Sequence, residues 1–267
     1  MASGPDFCPK GAQKMTTDED KTQHRSTKRV LDIFEALANA SEGLTMAEIC
    51  REVNAPKGSL SPILHTMADT SYVAYDDTTK RYSIGLKTYL LGKSFDREST
   101  SISLFMAAMR DITNACGETC QLGVLDRGRV LYIAKVDSPQ PVRLTSSIGK
   151  TLPIHYTAIG KALVSEMDEE KVRAMLHEPL ERPTDATVRT ADEFIAQLAE
   201  VRNEGFAYDR EEATKAVQCI GIGIRSHGTI QYGLSVTTPS YRLTEDKQEL
   251  IKEALSRAKR HMERVLA

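Results

Sequence analysis

The sequence predicts an α+β protein in two parts: a small helical head closed by a β-hairpin, and a larger domain around a mixed, mainly antiparallel sheet. Three observations carry this prediction. Apolar residues recur at helical spacing through the first helices, strand-like runs joined by Asp-Arg-Gly and His-Gly turns dominate the second half, and a polar stretch from Asp96 to Thr100 separates them.

Residues 1–22, with Gly4, Pro5, Pro9, Gly11 and the acidic Asp18, Glu19 and Asp20, carry no apolar period and read as a flexible tail. Residues 23–84 make the head. Val30, Ile33, Phe34 and Leu37 form a first helix behind Ser26 or Thr27 as caps, and Gly43 closes the segment. Thr45 and Glu48 are spaced as a capping box, in which hydroxyl and carboxylate each take an orphan amide of a short second helix. Asn54, Ala55 and Pro56 break that helix. Leu60, Ile63, Leu64 and Met67 then form a third stripe whose opposite side carries Lys57, Ser61 and His65. Residues 72–75 and 81–84 are strand-like and flank a polar turn, residues 76–80.

Residues 85–100 predict a linker helix with Leu86, Tyr89 and Leu90 on one face, which we read as a dimer contact. Residues 101–267 form the second domain and open on an amphipathic helix that ends near Cys116 and Gly117. Strands are predicted at residues 119–125, 129–136, 142–146, 206–209, 217–224 and 230–237, and helices at 157–166, 168–177, 190–203 and 244–266. Turns at residues 126–128 and 227–228 call for antiparallel neighbours.

Composition narrows the function. Hydrophobic residues are 40 % and charged residues 27 % of the 267, an ordinary globular balance. No window of about 18 apolar residues and no basic-then-apolar leader is present, so we predict a cytoplasmic protein without a membrane partner. The five cysteines lack secreted-style spacing and read as reduced thiols. A formal net charge of −2 excludes a polycation that holds nucleic acid by charge alone. Residues 21–95 nevertheless carry ten Lys or Arg against eight Asp or Glu.

A helix-turn-helix followed by a hairpin has a physical use: the second helix of the pair fits the DNA major groove while basic residues around it neutralise phosphates. Lys57, Ser59, Ser61 and His65 suit the groove, Lys80 and Arg81 the tip of a wing, and Arg25, Lys28 and Arg29 the start of the first helix. The competing reading of the same pattern is a helical interaction module with a solvated polar face.

At these residues the sequence resembles the IclR-type bacterial transcriptional regulators, over about residues 26–242. Ala55-Pro-Lys-Gly-Ser59, Ile63-Leu64, Thr66-Met67 and Tyr82-Ser-Ile-Gly85 match that family's recognition helix, wing and linker start. In the second half, Gly117-Glu-Thr119, Gly149, Pro153-Ile-His155, Thr157-Ala-Ile-Gly-Lys161, Glu204-Gly-Phe-Ala-Tyr-Asp209, Glu211-Glu212 and Cys219 follow in the family's order. One departure is Pro62, where the family usually carries arginine; proline removes an amide and disfavours a helical Ser61, which predicts a shifted or bent helix start.

The resemblance implies a winged head and a GAF-like or profilin-like effector domain. It also implies dimers that pair into tetramers, a palindromic double-stranded operator, and a small-molecule effector, most simply a carboxylate. Free amides at the helix start of Thr157-Ala-Ile-Gly-Lys161 attract a carboxylate. By family matching, Ile159 and Gly160 hold the effector acid, and Asp209, Val217, Cys219, Ser235 and Thr237 complete a small polar cavity; Thr237 stands where serine is common. Ser235 and Thr237 point to the same side of a strand. The resemblance makes repression the commoner role. No cofactor or metal is expected, since the Cys116 and Cys120 spacing lacks a second pair. The alternative is a small-molecule sensor, or a cysteine-dependent enzyme using Cys219, His155 and Asp209, with a non-functional head. Against it, the chain lacks a G-x-S-x-G elbow and a phosphate-binding G-x-x-x-x-G-K-[ST] loop.

Overall fold

The computed structural model describes residues 24–98, 101–144 and 147–267, so the predicted tail lies outside the described residues. The chain divides into two compact units between Glu98 and Ser99.

In the first unit the order is α1 (Arg25–Ala38), β1 (Leu44–Thr45), α2 (Met46–Glu52), α3 (Lys57–Asp69), β2 (Val73–Asp76), β3 (Arg81–Ile84) and α4 (Leu86–Glu98). The cap of α1 is His24 rather than Ser26 or Thr27: its ring nitrogen accepts the Thr27 amide at 3.4 Å. The Thr45 box is complete, with the Thr45 amide donating to Glu48 Oε2 at 2.7 Å and the Glu48 amide to Thr45 Oγ1 at 3.4 Å. Ile33, Leu37, Ile49, Leu60, Leu64, Met67, Val73 and Tyr82 form one core. Each large apolar side chain so buried contributes roughly 1.5–3 kcal/mol. The strands pair antiparallel in the order β1-β3-β2. Gly43, at φ 71°, lets the chain pass the wing, since a Cβ there would sit 2.5 Å from the Tyr82 carbonyl oxygen. In the β2–β3 turn the Asp76 carboxylate accepts the Thr78 amide at 2.8 Å and the Thr79 hydroxyl at 2.6 Å.

The second unit contains α5 (Ser101–Cys116), β4 (Thr119–Asp126), β5 (Arg129–Val136), β6 (Thr151–Pro153), α6 (Ala158–Val164), α7 (Glu169–Ala174), α8 (Ala191–Glu204), β7 (Ala207–Arg210), β8 (Val217–Ser226), β9 (Thr229–Pro239) and α9 (Glu245–Val265). Its six strands run in the order β6-β5-β4-β9-β8-β7 and every pairing is antiparallel, so no parallel pair enters the sheet. Arg127 with Gly128 and His227 with Gly228, all at positive φ, supply the two-residue hairpin turns that the sequence indicates. Of the predicted strand at residues 142–146, residues 142–144 are not in a strand. Residues 142–144 follow two prolines and the Val142 carbonyl accepts Arg242 Nη1 at 2.9 Å, while residues 145–146 lie outside the described ones. The edge strand is instead β6, which pairs Leu152 with Val130.

Alternation along the strands makes two layers. Cys120, Leu122, Ile220, Ile222, Ile224, Leu234 and Val236 face Phe105, Met109 and Ile112 of α5 and Ile251, Leu255 and Met262 of α9. The opposite face carries Gly123, Gly221, Gly223 and Gly233, and α6, buried at every residue, lies on it. A Cβ on Gly233 would stand 2.8 Å from Ile159 Cγ2, and one on Gly221 or Gly223 would stand 3.1 Å from the α6 backbone. Bare backbone lets the helix settle onto the sheet.

Candidate functional site

Two sites emerge, one in each unit. In the head, α3 keeps Leu60, Leu64 and Met67 buried, while Lys57 and His65 are exposed and Ser59 and Ser61 half-buried on its outer side. The helix begins at Lys57 and runs through Pro62 to Asp69, so its start is not shifted. Pro62 is its sixth residue, past the first turn, and removes the amide that would bond the Gly58 carbonyl; Gly58 is exposed, which leaves that oxygen to water. Arg25, Lys28 and Arg29 line one shallow groove with Asn54 and Ala55 of the α2–α3 turn, and Lys28 is 3.0 Å from Asp32. Lys80 is exposed at the wing turn, 3.4 Å from Asp77. Arg81 departs from its predicted role. Its guanidinium turns inward, donating to the Gly43 carbonyl at 2.8 Å and lying 3.3 Å from Glu48, because β3 runs beside β1 and α2.

In the second unit a cavity of about 470 Å3 opens between α6 and the sheet. Ile159, Asp209, Val217, Cys219, Ser235 and Thr237 all line it. The register explains the convergence: Asp209, Cys219 and Thr237 are cross-strand partners in one row over β7, β8 and β9, and Ser235 pairs with Gln121 in the next. Gly160 is not on the wall. Its amide donates to Thr157 Oγ1 at 3.1 Å, and a Cβ there would be 2.4 Å from the Ile154 carbonyl oxygen, so this glycine seats α6 against the preceding turn.

A polar chain runs along the wall. The Cys219 thiol lies 3.3 Å from Thr237 Oγ1 and 3.6 Å from Asp209 Oδ2, and Thr237 donates to Gln121 Oε1 at 3.0 Å. Asp209 Oδ1 accepts the amides of Glu212 at 2.7 Å and Ala213 at 3.2 Å. Behind it, buried Lys161 donates to Glu212 Oε1 at 2.6 Å and to the Tyr208 carbonyl at 2.7 Å. Burial pushes the Asp209 carboxyl up to about 6, against the lowering effect of its two amide donors. Burial, then the neighbouring Asp209, holds the Cys219 thiol well above its ordinary range. Burial also raises Tyr132, whose ring shares this cavity, and lowers Lys161, the Glu212 pairing opposing it.

The sequence reading missed Gln121, Tyr132, Tyr156 and the charged rim of Arg129, Lys150 and Glu181. Tyr132 alternates with Val130 and Ala134 along β5, which signals burial but not a cavity. The enzyme alternative meets a geometric obstacle. His155 does not line the cavity that holds Cys219, its Nε2 lies 2.8 Å from the Glu181 carbonyl oxygen, and a buried thiol with a raised pKa is a weak nucleophile. Among the described residues no cluster of three His, Cys, Asp or Glu side chains could hold a metal, and no helix is long and apolar enough to cross a membrane.

Comparison with known proteins agrees with both halves of this geometry. The IclR helix-turn-helix domain matches residues 26–77, and the C-terminal domain of the bacterial transcriptional regulator IclR matches residues 100–264. The chain belongs to the IclR family. The HTH-type transcriptional regulator KdgR of Dickeya chrysanthemi is 32 % identical over 233 residues, covering 86 % of this chain and 76 % of that protein. The transcriptional repressor IclR of Escherichia coli is 26 % identical over 229 residues, 84 % of each. Among solved structures, an IclR homologue from Microbacterium hydrocarbonoxydans complexed with 4-hydroxybenzoate has a TM-score of 0.78 at 21 % identity, covering 90 % of this chain and 99 % of that one. These IclR relatives are named as transcriptional regulators or repressors and not as enzymes.

Proposed function

We propose that this chain regulates transcription as a repressor, gripping a palindromic double-stranded operator with paired heads and answering to a small organic acid held in its second unit. The observation that carries the reading is a cavity of about 470 Å3, walled by Asp209, Cys219, Ser235 and Thr237, in a compact unit separate from the winged head. The 4-hydroxybenzoate complex of the Microbacterium homologue supports an acid as the ligand class. Arg129 and Lys150 at the rim suit a carboxylate, and the buried Asp209 suits a hydroxyl donor on the same molecule.

Pairing of heads rests on α4, where Leu86, Tyr89 and Leu90 are 71 %, 59 % and 56 % exposed. Such a face is costly in water, and two heads about one helical turn of DNA apart give the affinity that one cannot. The effector acts only through unequal affinity for operator-competent and incompetent arrangements, since equal affinity shifts no population. A mobility-shift assay with DNA upstream of the chain's own gene, at two salt concentrations and with a panel of small carboxylic acids, tests this. A specific, salt-sensitive complex that one acid alters is the expected result; a complex indifferent to every acid and to Ser235→Ala with Asp209→Ala removes the sensor.

A further inference from the structure

We propose that α3 reads a thymine methyl at the centre of its outward face, that Pro62 selects it, and that each operator half-site therefore carries a T·A pair beneath this residue. The inference rests on the reading of the first unit as the head that grips the operator, in which the outward face of α3 enters the major groove. Gly58, Pro62, His65 and Asp69 follow one another at i, i+4, i+7 and i+11, and all four are exposed, as is Thr66 beside them. Leu60, Leu64 and Met67 are buried on the opposite side, so Pro62 stands at the middle of the face that meets the bases.

That middle is apolar. A guanine is read by arginine or lysine, an adenine by the amide of asparagine or glutamine, and a cytosine by a carboxylate; a thymine is set apart by its C5 methyl, which needs only an apolar surface. Arginine, asparagine and glutamine are absent from α3. Its one lysine, Lys57, is at the helix start, and its one carboxylate, Asp69, is at the far end, about 10 Å along the axis from Pro62. The Thr66 hydroxyl is committed to its own helix, donating to the Pro62 carbonyl at 3.0 Å. The proline ring is left as the central contact, with Ser59, Ser61 and His65 to hydrogen-bond the flanking pairs.

The fold itself asks for neither residue. Glycine weakens a helix and an interior proline weakens it further. Gly58 has no positive φ to require it, and a Cβ there would meet nothing within 4 Å. Pro62 is exposed, takes no part in the core of the head, and follows a helix start already set by the cap at Pro56. Two helix-weakening residues one turn apart on the outward face, with no internal gain, point to a contact outside the protein. Gly58 adds no side chain beside the ring, which lets a base pair come up to it.

The test is selection of bound sites from a random duplex library by the full chain as wild type, Pro62→Gly and Pro62→Arg. Each thymine shared by the wild-type half-sites is then replaced in turn by deoxyuridine, which lacks only the C5 methyl, and binding is measured by mobility shift at fixed salt. Replacing one particular thymine in a half-site is expected to weaken wild-type binding about fourfold, the worth of one buried methyl. The same replacement should leave Pro62→Gly binding unchanged, and Pro62→Arg should select guanine at that position. Glycine suits a helix better than proline, so Pro62→Gly retains the fold. Wild-type sites in which no thymine is sensitive, a sensitivity that survives in Pro62→Gly, or a Pro62→Arg chain that selects the wild-type sites overturn the proposal. Failure of the wild type to enrich any sequence is a different result, which overturns the reading of the head and the proposal together.

Discussion

Arg81 and Glu48 lie 3.3 Å apart, and the same guanidinium donates to the Gly43 carbonyl at 2.8 Å, so the wing is tied to the cap of α2 by a residue that resembles a phosphate contact in sequence. Arg81→Ala therefore belongs with stability. It is expected to lower the unfolding free energy by about 1 kcal/mol through the lost hydrogen bond, and to leave the salt dependence of DNA binding unchanged. Chemical denaturation and a salt titration of binding check the two halves; a flatter salt slope would return Arg81 to the interface.

Lys57 is the contrasting case. It is the exposed first residue of α3 and has the freedom to reach a phosphate. Lys57→Ala should weaken binding to all sequences alike and reduce the slope of log affinity against log salt by about 1. Changes at His65, exposed two turns further along the same helix, should instead alter sequence preference.

Pro62 costs α3 one backbone hydrogen bond without ending it. Pro62→Ala should stabilise the protein by roughly 1–3 kcal/mol, read as a rise in midpoint on denaturation. A neutral or destabilising result would mean that the proline's rigidity in the unfolded chain outweighs the missing bond.

Asp209 makes stability depend on pH. Its folded-state pKa of about 6 lies above that of an unfolded Asp, so folding favours the protonated carboxyl. That contribution is complete below about pH 4 and is lost as pH rises through about 6. Asparagine keeps an oxygen for the two amides and carries no charge, so Asp209→Asn should gain roughly 1–3 kcal/mol over the wild type at about pH 8. The gain should vanish near pH 4, and equal stability of the two proteins across this range would contradict the burial argument.

Gly160→Ala places a Cβ 2.4 Å from the Ile154 carbonyl oxygen, a contact that only backbone movement relieves. It should destabilise the second unit by about 3 kcal/mol and abolish acid-dependent changes in DNA binding, although Gly160 does not face the cavity. Differential scanning calorimetry with the shift assay measures both.

Local chemistry made much of this fold legible. The Thr45 and Glu48 spacing, the Arg-Gly and His-Gly turns and the alternation of Ile220, Ile222 and Ile224 with Cys219, Gly221 and Gly223 each depend on residues close in sequence. What escaped the reading depends on distant partners. Arg81 turns inward because β1 is there to receive it; β6 forms where Val130 and Leu131 offer an edge; and the Val142 carbonyl, outside any strand, accepts from Arg242, a hundred residues away. The cavity stands between these cases. Asp209, Cys219 and Thr237 carry a polar signature, whereas Tyr132 and Gln121 join it only through strand order.

The four glycines beneath α6 bear on how such a sensor changes its taste in ligands. They do not line the cavity; because a Cβ on Gly221, Gly223 or Gly233 would meet α6, they fix the height at which Ala158 and Ile159, which do line it, stand over the sheet, and enlarging any of them lifts that helix. Ligand preference is then open to change through the hydroxyl, thiol and ring groups on the walls at Tyr132, Cys219, Ser235 and Thr237. The seat of the helix sets the height of the chamber, and the wall side chains set its chemistry.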